Sequence, residues 1–170
     1  MFSRAEYRSA TALLKNAIQE KANCNILHVA CGVKSLELAG VNAAAMILLD
    51  RSHAMLRHAA LRNPQATLLC ADTSALPFQN ETFDGIVAIG ISEYIGEPLA
   101  WLLELKRCLR PGGALILSIA PDHWRNRIRK LWNRELWLRE QKEWFEYFRQ
   151  SGFQVVETSE LLLQVQFRCT

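Results

Sequence analysis

Four short apolar runs in this chain each end at residues that can hold a ligand. Residues 25–30 end at Cys31 and Gly32, residues 46–49 stop at Asp50, and residues 66–70 stop just short of Asp72. Residues 85–89 run into Gly90, with Glu93 and Tyr94 close behind. Small residues let a ligand approach the backbone. A carboxylate at the end of the second run can accept from both hydroxyls of a ribose, and one after the third can accept from an adenine amino group. Together they describe a nucleoside pocket. Glu93, beside Tyr94, adds a group able to take a proton from an oxygen, nitrogen or carbon nucleophile. Each residue also has a plainer role open to it. Asp50 can serve as a helix N-terminal charge, Asp72 as a turn hydrogen-bonder, Glu93 as a solvated loop acid and Tyr94 as a packing residue. Asp84 reads as structural, holding a neighbouring turn.

For these residues to meet, the runs must be strands of one sheet. Ala10, Leu13, Leu14, Ala17 and Ile18 recur at helical spacing, which predicts an amphipathic helix over about residues 1–22. A short helix follows from Ser35. Ser52 is a good N-cap for a helix whose apolar face is Met55, Leu56, Ala59 and Ala60, ended by Asn63-Pro64. Pro98 opens a helix holding Leu99, Leu102, Leu103 and Leu109, and Arg110-Pro111-Gly112-Gly113 signals a turn. Residues 114–119 form the fifth strand. A Trp- and Arg-rich helical stretch spans 122–150 and closes at Ser151-Gly152. Strands at 153–157 and 161–168 follow. Apolar strands alternating with helices predict a mostly parallel sheet covered on both faces. Only Thr158, Ser159 and Glu160 separate the last two strands, too few for a crossover, so that pair is antiparallel.

The composition sets bounds on function. A chain of 170 residues, half of them hydrophobic and 22% charged, suits one globular domain over 1–170. A net charge of +3 is too weak to argue for nucleic acid, and because the basic residues form no long stripe with base-stacking motifs, nucleic acid is not expected as a partner. The five cysteines, Cys24, Cys31, Cys70, Cys108 and Cys169, form no C-x-x-C pair, which fits free thiols rather than a disulfide framework or a metal site. With no apolar leader and no run of membrane-spanning length, the expected location is the cytoplasm and membrane contact is not expected.

From Ile26 to about Ile119 the chain resembles the class I S-adenosylmethionine-dependent methyltransferases of the small-molecule (type 11) kind. Asp50-Arg51-Ser52-His53-Ala54-Met55-Leu56 resembles the family's D-x-S-x-x-M-L segment, and Ala71-Asp72 through Leu76-Pro77-Phe78 resembles its acid followed by L-P-F. Phe83-Asp84 resembles the F-D opening the fourth strand, and Leu109 to Gly113 the L-K-P-G-G turn. The resemblance implies a Rossmann-like, mostly parallel seven-stranded sheet with a C-terminal antiparallel hairpin and helices on both faces. It implies S-adenosylmethionine as cofactor, S-adenosylhomocysteine as product and a small-molecule acceptor. The implied cofactor-binding residues are His28, Ala30, Gly32, Asp50, Arg51, Met55, Asp72, Thr73, Ile89 and Gly90. The chain departs from the family's D/E-x-G-x-G-x-G loop. His28 stands at the acid, Ala30 at the first glycine and Lys34 at the last. A methyl group at Ala30 reads as a mild change. Lys34 must either turn to solvent or meet the carboxylate of the methionine moiety.

The acceptor side draws on Glu93 and Tyr94 after the fourth strand and on His123 after the fifth, all three candidate catalytic groups. His28 reads as a loop histidine, and His53 and His58 as surface residues. The 122–150 stretch holds Trp124, Trp132, Trp137, Trp144, Phe145 and Phe148, with Arg125, Arg127, Arg129 and Lys130 around one helical face. It reads as a lid or covering helices, as an aromatic acceptor pocket, or as a basic surface for membrane or an acidic partner. The little inserted material favours a small acceptor or a site completed by a homodimer mate or partner protein. Three functional readings follow: a methyltransferase, a non-catalytic methyltransferase-like binding or regulatory subunit, or a different reaction on the same fold.

Overall fold

A computed structural model describes residues 4–18, 23–33, 43–122, 126, 136–161 and 164–170. Its centre is one seven-stranded sheet of order β3-β2-β1-β4-β5-β7-β6. The strands are β1 (Cys24–Val29), β2 (Ala43–Asp50), β3 (Thr67–Cys70), β4 (Phe83–Ala88), β5 (Leu109–Ile119), β6 (Val155–Glu160) and β7 (Val165–Cys169). The first five run parallel, while β7 lies antiparallel between β5 and β6. The order reverses between β1 and β4, so the strand ends beside that point open a crevice suited to a ligand.

Helices α1 (Arg4–Ile18) and α2 (His53–Ala60) cover one face of the sheet, and α3 (Pro98–Cys108) and α4 (Gln141–Gln150) the other. On α1, Ala10, Leu13, Leu14 and Ile18 bury against Ile26, Val87 and Ile116. On α2, Leu56 and Ala59 bury against Leu48 and Cys31. Trp101, Leu102 and Leu105 of α3 and Trp144 and Phe148 of α4 close on Leu27, Ile86, Leu115 and Phe167. Alternate strand residues therefore feed two separate apolar layers, as a sheet buried on both faces requires. Trp144 and Phe148 make α4 a covering helix.

Three boundaries differ from the periodicity reading. Leu109 leaves the third helix at its C-cap and begins β5, pairing with Phe83. The Arg110–Gly113 turn is absorbed into that strand as an irregularity, because the register jumps between Phe83 and Gly85 opposite it. Gly113 permits this: a Cβ there would lie 2.9 Å from the Arg110 carbonyl oxygen and 3.2 Å from that of Phe83. Thr158, Ser159 and Glu160 form no connector but continue β6, paired with Phe167, Gln166 and Val165. The reversal falls later, where the Leu161 amide donates to the Gln164 carbonyl at 2.8 Å. Asp84 accepts from the Asn25 amide at 2.9 Å and from Arg110 Nη1 at 2.8 Å, tying the start of β1 to the irregular part of β5. Arg107 spans Glu104 and the carbonyls of Leu76 and Phe78, pinning the Leu76-Pro77-Phe78 loop to α3.

Candidate functional site

The crevice at the ends of β1 to β4 is built mainly from backbone turns. After β1 the chain takes left-handed conformations at Ala30 (φ 49°) and Gly32 (φ 57°). The Cys31 amide donates to the Leu49 carbonyl at 3.1 Å, which draws the turn over β2. The Gly32 amide then donates to Asp50 Oδ2 at 2.9 Å, and the Ser52 amide to Asp50 Oδ1 at 2.9 Å. Ser52 caps α2 through its side chain, as its sequence position predicted. Asp50 is thus 8% exposed and oriented by two amides, while each carboxylate oxygen keeps a second lone pair.

Asp72 Oδ1 accepts from the amide and hydroxyl of Ser74 at 2.8 and 2.7 Å. Those bonds, the amide first, hold its carboxyl below the usual carboxylate range. The turn role and a ligand role coexist, because Oδ2 takes no hydrogen bond from the described residues. After β4, the Gly90 amide donates to Ser118 Oγ at 2.8 Å, pulling the turn onto β5. The short 3-10 helix Ser92–Tyr94 follows.

These turns enclose a cleft of about 560 Å³. Ala30, Gly32, Asp50, Arg51, Met55, Asp72, Thr73, Ile89 and Gly90 all line it, so nine of the ten residues implied for the cofactor share one cavity. His28 does not line it. It is fully buried in β1, in register with Leu48 on one side and Val87 on the other. Its ring lies edge-on to Tyr7 with centroids 6.3 Å apart, and neither ring nitrogen has a hydrogen-bond partner among the described residues. Burial lowers its pKa to about 3, so it is a neutral imidazole under the floor of the site.

Of the candidate catalytic groups, Tyr94 lines the cleft and is 43% exposed. Glu93 is buried outside the lining, with Ser92 Oγ 3.4 Å from its Oε2, and its backbone carbonyl accepts from the Trp137 amide at 2.7 Å. His123 and Lys34 lie outside the described residues, as do Ser35 and the Trp124–Trp132 face. Near Trp137, Arg139 donates to the carbonyls of Ile95 and Gly96 at 2.9 and 2.8 Å, so this segment braces the loop after Tyr94.

Sequence reasoning missed Tyr7, Val33, Ser52, Ile91 and Ile95 as lining residues. Tyr7 had a signal, since it extends the helical stripe of Ala10 and Leu14 by one more turn. Ile91 and Ile95 had none beyond their nearness to Gly90. Among the described residues no cluster of three or more His, Cys, Asp or Glu side chains is placed to hold a metal ion. None of their helices is long and apolar enough to cross a membrane.

Residues 27–117 match the methyltransferase-domain family. The chain is 31% identical over 125 residues to the chloroplastic 2-methyl-6-phytyl-1,4-hydroquinone methyltransferase 2 of Oryza sativa subsp. japonica, covering 69% of this chain and 34% of that protein. It is 33% identical over 110 residues to the tRNA U34 carboxymethyltransferase of Trichlorobacter lovleyi, covering 59% of this chain and 33% of that one. The chain thus spans about a third of the length of these two relatives. Its fold superposes on an S-adenosylmethionine-dependent methyltransferase from Mesorhizobium loti with a TM-score of 0.81 at 17% identity, covering 98% of both chains.

Proposed function

This chain belongs to the class I S-adenosylmethionine-dependent methyltransferases, and we propose that it is an active member whose acceptor is a small molecule. The observation that carries this is the cleft itself: a nearly buried Asp50, aimed by two amides, with lone pairs left for a ribose. Asp72 keeps an oxygen for an adenine amino group across the same cavity. The residues present therefore fit the family's cofactor. When bound, S-adenosylmethionine supplies an activated methyl group for in-line displacement.

The chain's own residues do the rest. Asp50 orients the ribose, Met55 and Ile89 offer apolar surface to the base and sugar, and the Gly32 turn leaves room for close approach. Tyr7, Ile91, Tyr94 and Ile95 form the remaining wall. That wall is apolar apart from phenolic hydroxyls, which suits an apolar ring carrying a nucleophilic hydroxyl or carbon and keeps water away from the transferring group. Tyr94, on that wall, is the group assigned to touch the acceptor and to orient its nucleophilic atom through the phenolic hydroxyl. Behind it the backbone carbonyl of buried Glu93 accepts from the Trp137 amide, which holds the 3-10 helix in place. A relative named for a hydroquinone agrees with this acceptor class.

A relative named for tRNA stands against the expectation of no nucleic-acid partner and makes tRNA the acceptor to test beside a small molecule. The left-handed Ala30 and the neutral His28 favour the second reading, a binding subunit with weakened cofactor affinity. One assay separates all three: transfer of a tritiated methyl group from S-adenosylmethionine to a panel of hydroquinones and, separately, to unmodified tRNA. The proposal expects label in the organic extract. Label on tRNA overturns the acceptor class. No label on either acceptor from folded protein overturns the proposal and favours the binding subunit.

A further inference from the structure

The edge of the sheet farthest from the C-terminal hairpin is unguarded. Among the described residues β3 pairs only with β2, so one side of its backbone is open. Exposed edges usually carry a lysine, a proline or a bulge that blocks further pairing. Thr67-Leu68-Leu69-Cys70 has none of these, and Thr67, Leu68 and Cys70 are exposed. Leu61, the C-cap of α2, is 82% exposed.

The charge on the approach to this edge has one sign, and the nearest acids in sequence, Asp50 and Asp72, stand at the far end of β3. Residues 51–71 contain three arginines, two histidines and no acid. Arg62 stands immediately before the turn that leads into β3, where the Ala66 amide donates to the Asn63 carbonyl at 3.0 Å. Arg57, one turn earlier on α2, is likewise exposed, and neither arginine makes an ion pair with a described residue. At the strand's other end Cys70 Sγ lies 3.5 Å from the Arg51 carbonyl oxygen.

We propose that β3 is the docking edge for an acidic extended segment of another protein, which adds as an eighth strand and sets its carboxylates on Arg57 and Arg62. Main-chain pairing supplies the affinity and the arginines the selectivity. A second copy of this chain would bring two basic edges together. A nucleic acid would meet the arginines but leave the open strand and the exposed leucines unused. The inference does not depend on the cleft or its chemistry.

The test uses the full chain and a ten-residue peptide of alternating glutamate and valine, read by fluorescence anisotropy and by amide hydrogen exchange. Binding should slow exchange at residues 67–70 and leave β4 and β5 unchanged. The double variant Arg57→Glu/Arg62→Glu should bind about fivefold or more weakly, and the same peptide with lysine for glutamate should restore binding. That charge reversal separates docking from a folding defect. No protection in β3 at millimolar peptide, or equal binding to both proteins, overturns the proposal. So does tighter binding of oligouridylate, or a dimer by light scattering that Leu68→Lys dissolves.

Discussion

Asp50 and Ala30 show how single residues set the site. Gly32 occupies a left-handed conformation in which a Cβ would meet nothing within 4 Å, so any cost of a side chain there is conformational. Ala30 already carries that cost, about 1 kcal/mol for a residue with a Cβ. The change at Ala30 therefore carries backbone strain. Two urea titrations check this: Gly32→Ala should lose about 1 kcal/mol, whereas Ala30→Gly should hold or gain stability. His28 makes a second prediction. Its folded pKa of about 3 lies below the ordinary value of 6.5. Above pH 6.5 both folded and unfolded forms are neutral, and its full stability is present. As pH falls below 6.5 the unfolded chain gains a proton that the folded chain refuses, so stability drops by up to about 1.4 kcal/mol per pH unit. Denaturation at pH 7 and pH 5 should show that loss in the wild type, and His28→Leu should remove its contribution to the slope. A His28→Leu chain that is no more stable than wild type at pH 5 would mean the imidazole is satisfied in solution.

At the scale of elements, most of the architecture was legible because buried strands and amphipathic helices follow simple periods. The apolar stripe of α1, the Ser52 cap of α2 and the Pro98 start of α3 were all readable one residue at a time. Boundaries failed where tertiary contact overrode local signal. Arg110 to Gly113 has the composition of a turn, yet the fourth strand holds it in the sheet, and Thr158 to Glu160 look like a connector until β7 pairs with them. The strand order, with β7 between β5 and β6, left no mark in local sequence. Glycine substitutions test the tight approaches. A Cβ at Gly85 would meet Leu14 Cδ1 at 2.8 Å and Ile26 Cδ1 at 3.1 Å, both ends of side chains that can shift, whereas at Gly113 it meets two backbone carbonyls. Gly113→Ala should therefore cost about 1–3 kcal/mol and exceed Gly85→Ala in thermal or urea unfolding. The reverse order would mean that α1 is held more rigidly than the fifth strand.

Over the whole molecule, the sheet brings residues from four separate stretches of chain to one cleft, and nine of ten cofactor candidates meet there. Their positions were legible because strand ends in a parallel sheet share one side. What could not be read was depth: Glu93 looked like a loop acid and is buried, His28 looked like a loop residue and lies inside the sheet, and Tyr7 comes from a helix far away in sequence. The fold and family are those of a methyltransferase, and the central claim is that this cleft still holds the cofactor with Asp50 on its ribose. The measurement that tests it most directly is a calorimetric titration of folded, ligand-free protein with S-adenosylhomocysteine, alongside Asp50→Ala. Micromolar binding, about −8 kcal/mol, that falls at least tenfold in Asp50→Ala is the predicted result. No detectable binding to the wild type, or equal binding to both proteins, would contradict the account.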